Sequence, residues 1–428
     1  MRVPTAGGEK SPGRGQSRAG VVRGSRQTHA SAGRSHPGAA GLMSWLPLRA
    51  NARRVSLWAS LFFLLMAALG VFPLNGVTLG PVREVDLSSL GQGITPPLPH
   101  LLQFVNDSTL AVGLVVYNAG TPKLVRRGEA SERSAFFLHT ALVDASTGRV
   151  LRWAEWPTES LRHSGLVATP GSKLVVLLGD RVALYSDSLE LMRRLKLPGP
   201  KGSVWLPSAS PSGRSVLFVR ASGRKPSTWA WVDANRLRVV HVWSVVPPQP
   251  QALPISDDYI TFARCHPAGG RLPCRLIVRP LDGNSVQAVA GISLSYGSPE
   301  FVADNLLFAL GWPHGGISIL GLPKHRVLFR GSRGPGQVFG SAVSAPDAAR
   351  FVVPALDRGP GLDYLYVFDG PSARLRTLRI RGVSSLAWPW WFAVSSSWLA
   401  LSPDGRLLAV MENFKTVLIF RLPPPEGH

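Results

Sequence analysis

Short alternating runs of apolar and polar residues recur from about residue 80 to the end of the chain, and they predict β-strands. No apolar pattern with the 3.6-residue period of an amphipathic helix persists over this part of the sequence. Glycine and proline separate the runs, with 44 and 37 of them among 428 residues. This composition is typical of a turn-rich, all-β chain.

One unit, a turn followed by a strand, is repeated along this region. Its clearest copy is residues 402–410, Ser-Pro-Asp-Gly-Arg-Leu-Leu-Ala-Val, and residues 210–219, Ser-Pro-Ser-Gly-Arg-Ser-Val-Leu-Phe-Val, repeat it nearly intact. Proline sets φ at the second position of such a turn, and glycine fits where a side chain would clash. Weaker copies begin near residues 106, 169, 256, 303 and 345. Seven units at a mean spacing of roughly 46 residues match the period of four-stranded blades in a β-propeller.

The repeat therefore predicts a single seven-bladed β-propeller over residues 82–422, because a blade cannot bury both of its faces alone. The last unit supplies strands at residues 396–401, 406–411 and 416–422 and lacks a fourth. Residues 82–87, Val-Arg-Glu-Val-Asp-Leu, form a short alternating segment ahead of the first unit. We expect this N-terminal strand to pair with residues 416–422 and close the ring, since an open sheet edge invites aggregation.

Two of the turns also resemble those of known propeller families. Residues 402–409 resemble the strand-initiating turn of WD40-like and TolB-like propellers. Residues 143–150, Val-Asp-Ala-Ser-Thr-Gly-Arg-Val, resemble the outer hairpin of quinoprotein-like and YVTN-type propellers. The Trp-Asp dipeptide of true WD40 repeats is absent, and Gly-His occurs only at the end of the chain. The resemblance implies a propeller without choosing a subfamily, and the matched residues are structural in those families.

The formal net charge of +22 raises the question of nucleic-acid binding. Residues 1–54 hold ten basic residues and one acidic residue, and they lack apolar periodicity. Their Gly, Ser, Arg and Ala content predicts a disordered basic tail. A start at Met43 would make residues 1–42 a mispredicted extension of the protein.

A membrane-directed segment follows this tail. Arg49, Arg53 and Arg54 precede residues 55–74, which contain no charged residue. Two interpretations stay open: a signal peptide cleaved after Gly70, or an uncleaved anchor just long enough to span a bilayer. Either one predicts export of the rest of the chain to the periplasm, the cell envelope or the extracellular space. Export topology explains the basic N-terminus better than nucleic-acid binding, so we expect no nucleic-acid partner.

The two cysteines, Cys265 and Cys274, flank a loop between two strand-like runs at residues 259–263 and 276–279. In an exported protein we expect them to form a disulfide that clamps this hairpin. Free thiols are one alternative. A metal site with His266 is another, but it would lack the fourth ligand of a structural zinc site. We therefore expect no metal.

An aromatic cluster near the end of the chain is a candidate binding surface. It consists of Trp388, Trp390, Trp391 and Phe392, with Trp398 close behind. If exposed, these rings could stack on a sugar or form a hot spot for a partner. The alternative is packing between the sixth and seventh blades, with Trp398 pointing inward.

Two loops are longer than a tight hairpin needs, at residues 118–133 and 357–363. Long loops on a propeller face often carry binding sites. The first is equally compatible with a disordered insertion.

The chain contains none of the common catalytic, calcium or phosphate-binding motifs. Aspartates at predicted turns are expected to bond the local backbone. These are Asp144, Asp187, Asp233, Asp282, Asp369 and Asp404. Scattered histidines could meet in a propeller channel, but their sequence positions do not determine this. They are His139, His163, His241, His314 and His325.

We predict an exported or membrane-anchored β-propeller that binds a protein or a small ligand at one of its faces. We expect it to have no catalysis of its own and no cofactor. An enzyme with its active site in the propeller channel is the alternative: a hydrolase, a lyase or a quinoprotein-like oxidoreductase. The sequence names no catalytic residue for that alternative.

Overall fold

In a computed structural model of the chain, the described residues form almost only β-strands and the turns between them. Every described residue belongs to one compact unit, Pro73–His428. The structure describes residues 77–90, 98–117, 136–158, 164–200, 203, 205–220, 226–245, 254–264, 274–283, 287–294, 299–310, 316–322, 324, 326–331, 337–345, 349–357, 362, 364–370, 374–383, 398–413 and 415–425.

Two short strands come first, β1 (Thr78–Leu79) and β2 (Arg83–Asp86), and a single 3-10 turn follows at Ser88–Leu90. The next twelve strands form three antiparallel sheets of four. Sheet 1 contains β3 (Leu98–Phe104), β4 (Thr109–Tyr117), β5 (Phe136–Asp144) and β6 (Val150–Thr158). Sheet 2 contains β7 (Ser164–Thr169), β8 (Lys173–Leu178), β9 (Arg181–Tyr185) and β10 (Leu191–Lys196). Sheet 3 contains β11 (Trp205–Ala209), β12 (Ser215–Arg220), β13 (Ser227–Asp233) and β14 (Arg238–Val245).

Four further sheets follow in chain order. Sheet 4 contains β15 (Tyr259–Arg264), β16 (Cys274–Pro280) and β17 (Gln287–Leu294). Sheet 5 contains β18 (Glu300–Ala303), β19 (Leu306–Leu310), β20 (Ile317–Gly321) and β21 (Arg326–Gly331). Sheet 6 contains β22 (Gln337–Phe339), β23 (Val343–Ala345), β24 (Arg350–Asp357), β25 (Tyr364–Asp369), β26 (Arg374–Ile380) and β1. Sheet 7 contains β27 (Leu399–Leu401), β28 (Leu407–Asn413), β29 (Thr416–Arg421) and β2.

The predicted β-propeller is confirmed at the level of the fold. Strands at one edge of neighbouring sheets contact one another: β27 with β3, β3 with β7, β7 with β11, and β23 with both β18 and β27. In sheets 1, 2, 3, 5 and 7 the first strand is therefore the inner one, and the strand at the opposite edge is the outer one. In sheet 6 the inner position beside β24 is shared by β22 and β23. Buried apolar clusters fill the spaces between successive sheets. In β5, for example, Leu138 belongs to the cluster shared with sheet 2, whereas Ala141 belongs to the cluster shared with sheet 7.

The number of complete blades differs from the prediction. Among the described residues, six sheets have four or more strands, one fewer than the seven four-stranded blades that the repeat predicts. Sheet 4 has three. Ahead of β15 there is a single bridge, Ile255 with Ile260, and the Thr261 N–H donates to the Pro254 carbonyl at 3.0 Å. Pro254 itself cannot donate to a ladder, and residues 246–253 lie outside the described part of the chain.

The N-terminal strands bind the outer edges of two sheets. β1 lies parallel to β26, and β2 lies antiparallel to β29, with Val85 opposite Val417. The Arg83 guanidinium also donates to the Ser146 carbonyl in the β5–β6 turn at 2.6 Å. Residues 77–87, which we call the N-terminal strap, thus contact sheets 6, 7 and 1. The pairing of β2 with β29 is the one expected for residues 82–87.

Turns between the first two strands of the sheets bond to the equivalent turns of their neighbours. The Ser212 hydroxyl donates to the Asp257 carboxylate at 2.7 Å, which joins sheet 3 to sheet 4. The Asp404 N–H donates to the Asp107 carboxylate at 2.8 Å, which joins sheet 7 to sheet 1. These are the repeated turns found in the sequence, so the repeat links blades as well as starting strands.

Within the part of the chain that the structure describes, no helix has the length and apolar character needed to cross a membrane. The predicted tail and membrane-directed segment, residues 1–54 and 55–74, lie outside the described residues.

Candidate functional site

Three tryptophans and one histidine of sheet 3 lie on one face of its two outer strands, β13 and β14. Trp229 and Trp231 alternate along β13, and the register places them opposite Trp243 and His241 of β14. Residues directly opposite in an antiparallel pair point to the same face. All four side chains therefore face sheet 4.

A bulge in β14 adjusts this outer strand. Trp231 pairs with His241 and Val232 pairs with Val239, so Val240 is an extra residue without a partner in the ladder. Such a bulge increases the local twist and redirects the neighbouring side chains.

One part of this face is buried against sheet 4, and another part is exposed to solvent. Trp229 is buried against Phe262 of sheet 4, with ring centroids 6.1 Å apart. Trp231 and Trp243 remain partly exposed. Their rings are nearly parallel, 10° apart in plane angle, with centroids separated by 6.4 Å.

Charged and polar groups surround Trp243. The His241 ring lies 4.5 Å from it, and the Arg279 guanidinium lies over it at 5.6 Å. Together with Leu281 and Asp282, which follow β16, they line a cavity of about 270 Å³. We call this cavity the tryptophan groove. It contains Trp231, Val240, His241, Trp243, Arg279, Leu281, Asp282 and Gly283.

Two polar groups of the groove lack protein partners among the described residues. The Trp231 indole N–H and the Arg279 Nε are buried and make no hydrogen bond. Arg279 forms no ion pair with any described residue either, and its contact with Trp243 is a cation–π contact. Buried donors normally have partners, so this guanidinium is available to a ligand that brings oxygen acceptors.

A second group with unusual chemistry lies at the inner strands. Glu300 begins β18, and its carboxylate accepts the Ala342 N–H at 2.5 Å and also bonds the Ser341 side chain. Burial of the carboxyl group raises the pKa of Glu300 to about 7, although the two hydrogen bonds act in the opposite direction. Glu300 therefore titrates near neutral pH.

Three of the six aspartates predicted as turn formers act as expected. Asp144 accepts hydrogen bonds from the Ser146 hydroxyl and from the Ser146 N–H, the second at 2.8 Å. These bonds lower the pKa of Asp144, and the hydroxyl bond contributes most. Asp233 and Asp404 likewise accept the Arg236 and Arg406 N–H groups.

Asp369 and Asp282 differ from this pattern. Asp369 is a buried partner of Arg350 and Arg376 and takes part in packing between blades. Asp282 lines the tryptophan groove.

The sequence-predicted site residues are mostly outside the described part of the chain. Cys265, Trp388, Trp390, Trp391 and Phe392 all lie there, as do residues 118–133. Cys274 is the first residue of β16. The predicted hairpin around the cysteine loop is confirmed, because β15 pairs antiparallel with β16. The disulfide stays a prediction.

The remaining sequence candidates are separated in the structure. Trp398 is 2% exposed, as expected for a core residue. His139 lies on β5, where its Nε2 is 3.2 Å from the Glu155 carboxylate of β6. His241 lies on the outer strand of a different sheet, so His139 and His241, the two predicted histidines that the structure describes, do not meet in a channel. No group of three or more His, Cys, Asp or Glu residues that could hold a metal occurs among the residues described.

Sequence reasoning missed the tryptophan groove. Its only trace is a Trp-x-Trp run at residues 229–231 and a His-x-Trp run at residues 241–243. Their meeting depends on the strand register and on a neighbouring sheet, which a single sequence does not reveal.

No protein-family model and no curated protein matches the chain. Among solved structures, it is similar to a chain of a mitotic checkpoint complex, with 14% identity, a TM-score of 0.48, and 80% of this chain and 92% of that chain covered. A C-terminal WD40 domain of Sif2 matches at 11% identity and a TM-score of 0.44, covering 81% of this chain and 99% of that chain. Virginiamycin B lyase from Staphylococcus aureus matches at 8% identity and a TM-score of 0.48, covering 80% and 99%. At TM-scores under 0.5, these likenesses carry no conclusion about ligand, partner or activity.

Proposed function

We propose that this protein is an exported or membrane-anchored β-propeller that acts as a binding module, and that the tryptophan groove is its binding surface. The observation that carries the proposal is the Arg279 guanidinium, which lies over Trp243 without a hydrogen-bond or ion-pair partner among the described residues. Tryptophan and arginine are the residues most often found at the energetic centre of protein interfaces.

The groove suits a protein segment that brings a carboxylate and an apolar side chain. The carboxylate would accept two hydrogen bonds from Arg279, and the apolar group would cover Trp231 and Trp243. Asp282 at the edge would reject a second carboxylate next to the first. Trp231 and Trp243 remain partly exposed on the face toward sheet 4, so a bound segment would reach both rings.

We further propose that the propeller has seven blades and that the N-terminal strap closes the ring. Sheet 4 would be the seventh blade, with residues around Ile255 in place of a full inner strand. The N-terminal strap would close the ring through β2. Cleavage after Gly70 would release a soluble exported protein, and an uncleaved segment at residues 55–74 would anchor it. Sequencing the N-terminus of the mature protein decides between these two forms, and an intact basic N-terminus in a soluble cytoplasmic fraction would reject export.

Binding is tested by co-purification from a detergent-solubilised envelope fraction. We expect Trp243→Ala and Arg279→Gln each to reduce the recovered partner at least tenfold, the loss typical of a hot-spot residue. Val327→Ala and Arg326→Gln are the controls, because they remove an exposed apolar side chain and an exposed arginine from β21, away from both the groove and the strands next to it. Equal loss in the controls, or full recovery with both groove variants, would reject the groove as the binding surface.

Glu300 favours a second candidate function, an enzyme with an active site near the inner strands. A carboxyl group with a pKa of about 7 is suited to general acid–base catalysis in a hydrolase or a lyase. A panel of ester, glycoside and lactone substrates tests this. Turnover that is lost in Glu300→Gln would support an enzyme in which Glu300 is catalytic. Turnover that survives this change would show that Glu300 is not catalytic.

A further inference from the structure

The large apolar side chains that are exposed in the described part of the chain all lie at the outer edge of the propeller. Each lies on the N-terminal strap or on the outer strand of a sheet. Trp153 of β6 is 62% exposed and Met192 of β10 is 50% exposed. The others are Val77, Val82, Leu151, Leu191, Val240, Val242 and Val327.

A repeated bulge brings three of these side chains to equivalent places. Leu151, Met192 and Val240 are the extra residues of register shifts near the beginnings of β6, β10 and β14. All three are exposed. The equivalent extra residue of β21, Leu328, is apolar too but packs against a core cluster. Exposed strand positions ordinarily carry polar residues, so three exposed apolar side chains at this position in consecutive sheets indicate a shared surface.

Contacts at the outer edge make this surface continuous. Arg83 of the strap bonds the β5–β6 turn of sheet 1. The ring of Trp156 on β6 lies 4.8 Å from that of Tyr185 in sheet 2. Arg193 of β10 donates to the Arg236 carbonyl in sheet 3 at 2.9 Å. The strap and sheets 1, 2 and 3 therefore form one stretch of the outer edge.

Basic residues lie among the apolar ones. The strap and strands β6, β10 and β14 carry six arginines and lysines and three acidic residues. The basic residues are Arg83, Arg152, Arg193, Arg194, Lys196 and Arg238, and the acidic residues are Glu84, Asp86 and Glu155. We call this stretch, with its exposed apolar side chains, the basic-apolar rim.

We propose that the basic-apolar rim docks on the surface of a lipid bilayer, with the propeller lying edge-on. Trp153 and the aliphatic side chains would enter the interfacial region, where tryptophan is favoured. Arg194 and Lys196 would contact lipid phosphates, which carry the opposite charge. Nucleic acid would use the arginines but not the apolar side chains between them.

The position of the rim in the chain supports a lipid partner. Val77, the first residue of the strap, follows the uncharged segment 55–74 after two residues. An anchor there would hold the strap close to the bilayer, and Arg83 joins the strap to sheet 1. The inference rests on the proposed membrane location. Val240 also lines the tryptophan groove, but none of the residues changed in the tests below does.

Hydrogen exchange of the full chain, with and without vesicles, tests the proposal. The vesicles are phosphatidylcholine containing phosphatidylglycerol as a minority lipid. We expect amide exchange to slow in β6, β10 and β14 and to stay unchanged in β21, which carries Val327 and Arg326 outside the rim. Sedimentation with vesicles but without this protection would overturn the rim and leave the membrane location intact. Absence from the vesicle pellet would overturn both.

Variants separate the two chemical components of the rim. We expect Arg194→Glu with Lys196→Glu, and separately Trp153→Ser with Met192→Ser, each to abolish the protection in β6 and β10. Arg326→Glu with Val327→Ser is the matched control in sheet 5 and should keep it. All six residues changed are exposed, so thermal unfolding should match the wild type in each variant. Protection retained in both rim variants, or produced equally by a soluble polyanion without vesicles, would overturn lipid docking.

Discussion

Arg350 and Asp369 form a buried ion pair, with the Arg350 Nε 2.5 Å from the Asp369 Oδ1 and neither side chain more than 2% exposed. The same guanidinium donates to the Gly405 and Pro423 carbonyls at 2.7 and 2.8 Å. Arg350 and Asp369 face each other on β24 and β25 of sheet 6, whereas Gly405 and Pro423 belong to the turn and the tail of sheet 7. One side chain therefore joins two blades.

Replacing Arg350 should destabilise the protein strongly. Arg350→Ala leaves the Asp369 carboxylate buried with one partner fewer, and it leaves two carbonyls without a donor. We expect the free energy of unfolding to fall by about 3–5 kcal/mol, measured by denaturant unfolding. Arg326→Ala, an exposed arginine in sheet 5, should change it by less than about 0.5 kcal/mol. A similar small effect for both would show that the pair does not hold the blades together.

Glycine is required more strictly at position 213 than at position 370. Both have φ near +70°, so alanine at either site costs about 1 kcal/mol of backbone strain. A Cβ at 213 would also lie 2.5 Å from the Ala168 carbonyl oxygen of sheet 2, whereas a Cβ at 370 would meet nothing within 4 Å. We expect Gly213→Ala to lower the melting temperature clearly more than Gly370→Ala. Equal losses would contradict the close approach of the two blades.

Glu300 should make stability depend on pH between about 4.5 and 7. Its pKa in the folded protein is about 7, raised from 4.5, so the folded state holds this proton while the unfolded state loses it. The contribution of Glu300 is therefore most favourable below pH 4.5, decreases as pH rises to 7, and is constant above that. The difference in unfolding free energy between wild type and Glu300→Gln should follow this course. A difference independent of pH would mean that Glu300 titrates normally.

The attachment of the N-terminal strap to sheet 7 should depend on one buried apolar side chain. Val85 of β2 is 1% exposed and belongs to the core cluster beneath sheet 7. Val85→Asp would bury a charge, so we expect the strap to detach and the amides of β29 to exchange faster. Glu84→Asp, at the exposed neighbouring position, is the control. Unchanged exchange in β29 would show that β2 contributes little to this edge.

The predicted disulfide between Cys265 and Cys274 can be tested by intact mass with and without reductant. We expect reduction to add two hydrogens to the exported protein. Closing a loop of about ten residues contributes roughly 2.7 kcal/mol in the chain-entropy model, so reduction should also lower the melting temperature. An unchanged mass would indicate free thiols.

Much of the architecture could be predicted because turns are determined by neighbouring residues. Gly213 and Gly405 have the positive φ expected at the ends of their turns. The N–H of each glycine donates to the carbonyl of the serine that begins its turn. The pairing of β15 with β16 was equally predictable from two apolar runs around a short loop. The single bridge at Ile255, where the other described sheets have an inner strand, was not, since the turn that follows it resembles the other turns.

The sequence by itself determined the turns, the alternation of the strands and hence an all-β repeat, because these depend on residues close together in the chain. Only the tertiary structure brought Trp243 to Arg279 and Arg350 to Gly405, and aligned Leu151, Met192 and Val240 along one edge. Those contacts depend on strand register and on packing between blades. Register and packing are decided by burial across many residues at once, so no short stretch of sequence contains them.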